Sequence, residues 1–277
     1  MDRKKLTRWR ACCTWLRWNL PWEVRHASQR VVADLRWRWK MNNPVIGLWV
    51  TLFSRYYRTD GCRFYLPRRL VPWGVRARFF FDVYEQEERA LVRKWVHSSD
   101  RVLELGASIG VVACVTNRLL DESMRAHHLV VEANPFVLGD LWANRDLNMA
   151  DFRVLHGVLG KGDWRTFYVH RYFFGGSAHL ESGYKVPVPV YDLSALCARC
   201  GGAFDVLIMD IEGGELEVLE GLGSELSAFR LVLCEFHDFI IGADRVQACR
   251  QILQTHQFTL LETMGTVEAW GRAVSPT

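Results

Sequence analysis

The sequence predicts an open, doubly wound α/β sheet of seven mostly parallel strands with an antiparallel last strand, preceded by a basic helical extension. Three observations carry that prediction. Arg101 to Leu120 reads as a strand, a glycine-containing turn and a helix. Strand and helix patterns then alternate along the rest of the chain. Phe204 to Asp210 (FDVLIMD) is a near-continuous apolar run, the mark of a parallel strand covered on both faces.

The extension comes first. Residues 1–80 hold 18 Lys and Arg against 4 Asp and Glu, whereas residues 81–277 hold 17 against 27. Such a split points to an acidic surface as partner for the first part. Leu6, Trp9, Cys13, Leu16 and Leu20 recur at steps of three and four, a helix with one apolar stripe that Pro21 ends. Val31 to Lys40 reads as a second helix. Seven of the twelve tryptophans fall in residues 1–60. A Trp-lined, Arg-rich amphipathic helix suits an anionic membrane surface, and it equally suits packing of its stripe on the main domain. Nucleic acid is disfavoured as a partner, because no RNA- or DNA-binding motif accompanies the arginines. Residues 61–80 are punctuated by Pro and Gly and predict short strands and turns.

Residues 81–277 form the main domain. Tyr84 to Val96 reads as a helix with Leu91, Val92, Trp95 and Val96 on its apolar face. The strand Val102 to Leu105 opens the sheet, and His127 to Glu132 is a second strand ending in an acid. Asn134-Pro135 reads as a helix start, with Asn as cap and Pro in the first turn. Phe152 to Val158 is a third strand. Trp164 to Val169 and Tyr184 to Val190 predict an antiparallel pair joined through the loop GGSAH (175–179), and Pro187 and Pro189 confine the second of them to an edge. After Phe204 to Asp210 come a helix at 214–222, a strand at 231–236, a helix at 243–256 and two closing strands joined by Met264-Gly265.

Several classes are disfavoured. The eight cysteines show no disulfide framework, and Cys197-Ala198-Arg199-Cys200 stands without a second pair or a His pair at zinc spacing. No apolar run approaches the ~20 residues of a membrane-spanning helix, and no secretory signal follows Arg3, Lys4 and Lys5. The expectation is a cytoplasmic chain, with its basic start against the inner face of the cytoplasmic membrane.

The turn after the first strand reads Glu104-x-Gly106-x-Ser108-x-Gly110. A dinucleotide fingerprint wants Gly where Ser108 stands. Glu104 would also repel a pyrophosphate, so a nicotinamide dehydrogenase is disfavoured. A carboxylate here suits a ligand with a cationic amino group, and S-adenosylmethionine is such a ligand. Gly106 lets backbone approach that ligand, and Gly110 lets the helix pack hard on the sheet.

With VLELGASIG (102–110), VVEANP (130–135), HGVLG (156–160), FDVLIMDIEGGELEVLEGL (204–222) and LCEFHD (233–238), the chain resembles the FkbM-type family of class I S-adenosylmethionine-dependent methyltransferases over about residues 80–270. The fourth stretch is the most specific. Met209 departs from the family, many of whose members carry Lys there. The resemblance implies a Rossmann-like methyltransferase fold and O-methylation, with members acting on glycans and on polyketides. The expected acceptor is a hydroxyl of a sugar, in a surface polysaccharide or a lipid-linked glycan. A polyketide or other small natural product is the nearest alternative, and a non-catalytic membrane-associated binding module a more distant one.

On that reading Glu104 anchors the methionine ammonium through an ordered network, while Gly106, Ala107 and Ser108 lie along the carboxypropyl chain. Glu132, with Asn134 beside it, accepts the ribose hydroxyls. His156, Gly157 and Val158 flank the adenine. Charge-assisted hydrogen bonds of this kind contribute ~1.5–3 kcal/mol each. Asp210, Glu212, Glu235 and His237 follow the fourth and fifth strands and face one crevice. Either His237 or Asp210 takes the acceptor proton, and Glu212 positions the acceptor. Mg²⁺ held by Asp210 and Glu235 is a second, less favoured reading.

Overall fold

The first described helix, α1 (Pro44–Phe53), starts where a cap allows it. Asn43 Oδ1 accepts the backbone N–H groups of Val45 and Ile46 at 2.9 and 3.3 Å, and Pro44 fills the first turn. The computed structural model describes residues 43–54, 56–67, 71, 73–169, 176–177 and 184–272. The two helices expected within residues 1–40, and most of the GGSAH loop, lie outside the described residues.

β1 (Tyr56–Thr59) and β2 (Cys62–Tyr65) form an antiparallel hairpin, and α2 (Trp73–Phe80) comes after them. This helix corrects the expectation of only strands and turns over 61–80. The prolines there precede the helix instead of interrupting it, and α2 buries Arg76, Ala77 and Phe79. Arg76 stays inside because its Nε donates to the Val71 carbonyl at 3.0 Å. α1 and α2 pack closely enough that a Cβ on Gly47 would meet the Trp73 carbonyl oxygen at 1.6 Å.

α3 (Gln86–Trp95) begins two residues later than expected, since Glu85 takes a left-handed φ of 47°. β3 (Val102–Leu105), α4 (Val111–Leu119) and β4 (His128–Glu132) match the pattern. α5 (Leu138–Leu147) starts beyond Asn134-Pro135, because Asn134 Oδ1 closes a local turn by accepting the Phe136 N–H at 3.0 Å. The strand expected over 152–158 is two, β5 (Arg153–His156) and β6 (Val158–Leu159). They divide at Gly157, whose Cβ would sit 2.6 Å from the Pro189 carbonyl oxygen.

β6 leaves the main sheet to join β7 (Trp164–Val169), β8 (Gly176–Ser177) and β9 (Tyr184–Tyr191). β7 and β9 pair antiparallel as expected, but β9 is not an edge strand, since Val190 and Tyr191 also pair with β6. Pro187 and Pro189 fall just before that second pairing begins, so their missing N–H groups cost it nothing. α6 (Leu193–Cys200), β10 (Val206–Met209), α7 (Glu215–Leu222), β11 (Leu231–Glu235), the short α8 (Asp238–Ile241), α9 (Ala243–Thr255), β12 (Phe258–Met264) and β13 (Val267–Arg272) complete the chain.

The main sheet has seven strands in the order β12-β13-β11-β10-β3-β4-β5. β11, β10, β3, β4 and β5 run parallel, and β13 is antiparallel to both of its neighbours. This is the doubly wound sheet, with a reversed last strand, that the sequence predicts. Its two covered faces explain the apolar run at 204–210. Leu207 and Met209 pack with residues of α6, α7 and α9, while Val206 and Ile208 pack with residues of α3 and α4. A third buried cluster joins Tyr57, Phe64 and Phe79 to Ile109, Val115 and Leu141, so one core runs across residue 80.

The turn after β3 rests on one close approach. A Cβ on Gly106 (φ 83°) would sit 1.8 Å from the Asp210 carbonyl oxygen. Gly139, in the first turn of α5, meets nothing within 4 Å. Gly106→Ala is therefore expected to lose more than about 1 kcal/mol of stability in urea unfolding. Gly139→Ala is expected to gain about 0.5–1 kcal/mol in the same measurement.

Candidate active site

Parallel strands end at a common edge, and three of them place acids there: Glu132 at the end of β4, Glu235 at the end of β11, and Asp210 just after β10. Glu212, with a left-handed φ of 52°, lies in the turn before α7. Glu85 and Glu88 come from the start of α3, and His237 and Phe239 lie just beyond β11. These residues line a cavity of about 610 Å³. Seven carboxylates face it, against Arg78, Arg165 and His237, and Arg165 is already paired with Glu217.

His237 sits at the centre of the acidic group. Its Nδ1 lies 2.6 Å from Glu215 Oε1, and its Nε2 lies 3.4 Å from Asp210 Oδ1 and 3.7 Å from both Glu212 and Glu235. Glu215 is fully buried and also accepts the Gly213 N–H at 3.0 Å. Burial disfavours the imidazolium, but the hydrogen bond to Glu215 and the charges of Asp210, Glu212 and Glu235 outweigh it, raising the His237 pKa to about 9. The carboxyls move the other way. Burial, then the charge of Glu235, holds Asp210 well above the ordinary carboxylate range. Burial raises Glu85 to about 8, and it raises Glu212 to about 7 against the pull of His237. Glu88 is likewise pushed well up by burial and by the charges of Glu235 and Glu85. Asp210, Glu212 and His237 bring ligand atoms within 4.8 Å of one another, as do Glu88, Asp210 and Glu235. Either set has the donors for a divalent cation, and the second contains the Asp210–Glu235 pair expected from the sequence.

The glycine turn is tied to β4 by Glu132. Its Oε2 accepts the Ser108 N–H at 2.8 Å and its Oε1 the Asn134 N–H at 2.7 Å. Burial still raises its pKa, despite bonds from the Asn134, Ser108, Ala107 and Ala133 backbone. The turn holds Ser108 at a left-handed φ of 54°. Gly110 caps α4 at φ 85°, and its Cβ would meet Leu141 Cδ1 of α5 at 2.6 Å.

Of the residues predicted from sequence, Gly106, Ser108, Glu132, Asn134, Gly157, Val158, Asp210, Glu212 and His237 line the one cavity. Ala107, Gly110, Glu104 and His156 do not. His156 Nε2 lies 3.1 Å from the Ala133 carbonyl oxygen. Glu104 is buried with its Oε2 3.1 Å from Nε2 of the equally buried His128. It borders instead a small second cavity of about 20 Å³ shared with Glu85, Glu88, Asp210 and Glu235. Cys197 and Cys200 are free thiols on α6 whose pKa values burial raises.

Sequence reasoning missed Glu215, Glu88, Glu85 and His128. Glu88 carried a signal, since it lies three and four residues before Leu91 and Val92 and so on the apolar face of α3. Glu215 reads as an ordinary acid in a first helical turn. Only the tertiary fold sets it against His237.

The scaffold that carries this geometry is a known one. A family model described as the methyltransferase FkbM domain matches residues 104–260. No curated protein sequence matches the chain significantly. Among solved structures, the precorrin-6y C5,15-methyltransferase of Geobacter metallireducens GS-15 is 12% identical, with 75% of this chain and 93% of that one covered at a TM-score of 0.43. A putative O-methyltransferase from Klebsiella pneumoniae is 18% identical, covering 67% of this chain and 78% of that one at a TM-score of 0.37. Aeropyrum pernix fibrillarin, solved with natively bound S-adenosyl-L-methionine, is 12% identical, covering 66% of this chain and 72% of that one at a TM-score of 0.38.

Glu215 is the main support of the His237 cation. Glu215→Gln is expected to lower the His237 pKa from about 9 toward the ordinary histidine value, read by NMR titration of the imidazole. An unchanged titration would assign the shift to the other carboxylates.

Proposed function

Because the chain belongs to the FkbM methyltransferase family and is an S-adenosylmethionine-dependent methyltransferase, we propose that it methylates a hydroxyl oxygen, on a sugar of a surface polysaccharide or a lipid-linked glycan precursor. The observation that carries this reading is the Glu212 carboxylate, poised near pH 7 beside His237 at the cavity wall. A hydroxyl nucleophile gains from a base whose pKa lies near the working pH. Support for a sugar comes from Phe239, a ring 78% exposed at the same cavity and 5.7 Å from the His237 ring. An aromatic face beside polar groups is the surface a pyranose ring covers well.

The residues present fit the cofactor. An acid-rich wall complements a ligand carrying both a sulfonium and an ammonium, and the turn from Gly106 to Ser108 lies against it with Glu132. Ser108, Glu132 and Asn134 would hold its ribose side, and Val137, Val158 and Leu159 its adenine. When bound, S-adenosylmethionine supplies an electrophilic methyl whose sulfur departs as a neutral thioether.

In this reading the proton roles differ from those expected from the sequence. His237, held as imidazolium by Glu215, cannot take a proton at neutral pH. Burial and the charge of Glu235 favour the protonated form of Asp210. Glu212 therefore accepts the acceptor's hydroxyl proton as the new oxygen–carbon bond forms. His237 offsets the negative charge of the carboxylates around it, a task that otherwise falls to a metal ion.

These assignments fix a pH profile. Glu212 is a carboxylate above about pH 7 and His237 a cation below about 9, so kcat/KM is expected to rise through the first value and fall through the second. Methyl transfer to a panel of sugar acceptors reads it. Glu212→Gln is expected to abolish the acidic limb and cost roughly 10²–10⁴-fold in kcat, while EDTA leaves turnover unchanged. An acidic limb retained in Glu212→Gln would remove Glu212 as the base, and loss of turnover in EDTA would replace His237 by a metal.

A further inference from the structure

A broad exposed apolar surface lies on α1 and α2, outside the cavity. Val45, Trp49, Leu52 and Phe53 succeed one another at helical spacing on one face of α1. Each is more than half exposed, Val45 at 73% and Phe53 at 71%. The other side of α1 buries Gly47 and Val50 toward the core. The patch is continuous across the two helices, since the Trp49 ring lies 5.3 Å from Phe53 and 5.8 Å from Phe80 of α2. Trp73, at the start of α2, is exposed as well. Single exposed apolar residues are ordinary, but a contiguous group of large ones marks a surface that meets something apolar.

We propose that this patch inserts into the interface of an anionic membrane. Tryptophan and phenylalanine are the residues that favour the headgroup boundary. The sequence on either side of the patch has the matching charge. α1 contains no acidic residue, and the 43 residues ahead of it hold 11 Lys and Arg against 3 Asp and Glu, together with six tryptophans. On the far side the chain passes into the β1–β2 hairpin, whose exposed face carries Tyr56, Arg58, Arg63 and Tyr65, with the Arg63 guanidinium 4.5 Å from the Tyr56 ring centroid. A second copy of the chain would set these basic segments against one another, whereas anionic lipid neutralises them. Among the described residues no helix is long and apolar enough to cross a membrane, so contact is along the surface. α2 joins the patch to the cavity, because Arg78 of the same helix lines it. A protein seated on this patch would hold its cavity close to acceptors anchored in the lipid.

The test is co-sedimentation of the full chain with vesicles of phosphatidylcholine alone and of phosphatidylcholine mixed with phosphatidylglycerol. Binding is expected to the mixed vesicles, weakening with salt. The double variant Trp49→Ser/Phe53→Ser is expected to lose about tenfold or more of that affinity while melting at the wild-type temperature. The proposal fails if the folded protein ignores the anionic vesicles. It also fails if the variant binds them undiminished, or if sedimentation velocity shows a wild-type dimer that the variant dissolves.

Discussion

Mutual repulsion among crowded, half-buried carboxylates is the constraint on which the site depends. Glu88, Asp210 and Glu235 bring oxygens within 4.8 Å of one another, and Glu212 reaches the same imidazole that Asp210 does. Charges this close and only partly exposed to water cannot all stay ionised. The protein answers in two ways. It leaves protons on some of the carboxyls, and it places His237 between them, secured from behind by Glu215 at 2.6 Å. A cationic ligand entering the cavity meets the charge that remains.

The sheet delivers these groups together because its parallel strands share one edge. β10 lies between β3 and β11, so the turn leaving β10 is flanked by the glycine turn on one side and by Glu235 on the other. The contact between Gly106 and the Asp210 carbonyl oxygen draws the two halves close. Glu132 then fixes the glycine turn from the opposite side through Ser108. Positioning of this sort is what a transfer between two bound molecules needs most, since orientation can supply ~7–11 kcal/mol of a barrier.

Much of the fold was legible in the sequence, for reasons that can be named. FDVLIMD reads as a strand covered on both faces because Leu207 and Met209 face one core and Val206 and Ile208 the other. Asp210, Glu212 and His237 were legible because strand ends place their neighbours at one edge. Local cues misled where tertiary contacts decide. Asn134-Pro135 looks like a cap but spends its side chain on a turn. Glu104 was expected to act on the ligand through a network, and two parallel strands bring it diagonally onto His128, a pairing no spacing within one strand reveals. The role of Glu215 depends on an approach between α7 and the chain just beyond β11, and that approach exists only in the folded protein.

The most direct measurement is calorimetric titration of the purified protein with S-adenosylhomocysteine, with Glu132→Ala alongside. The account predicts micromolar binding by the wild type and its loss in a variant that remains folded, because Glu132 both lines the cavity and holds the glycine turn. Absence of binding by a folded wild-type protein, or full affinity in the variant, would contradict it.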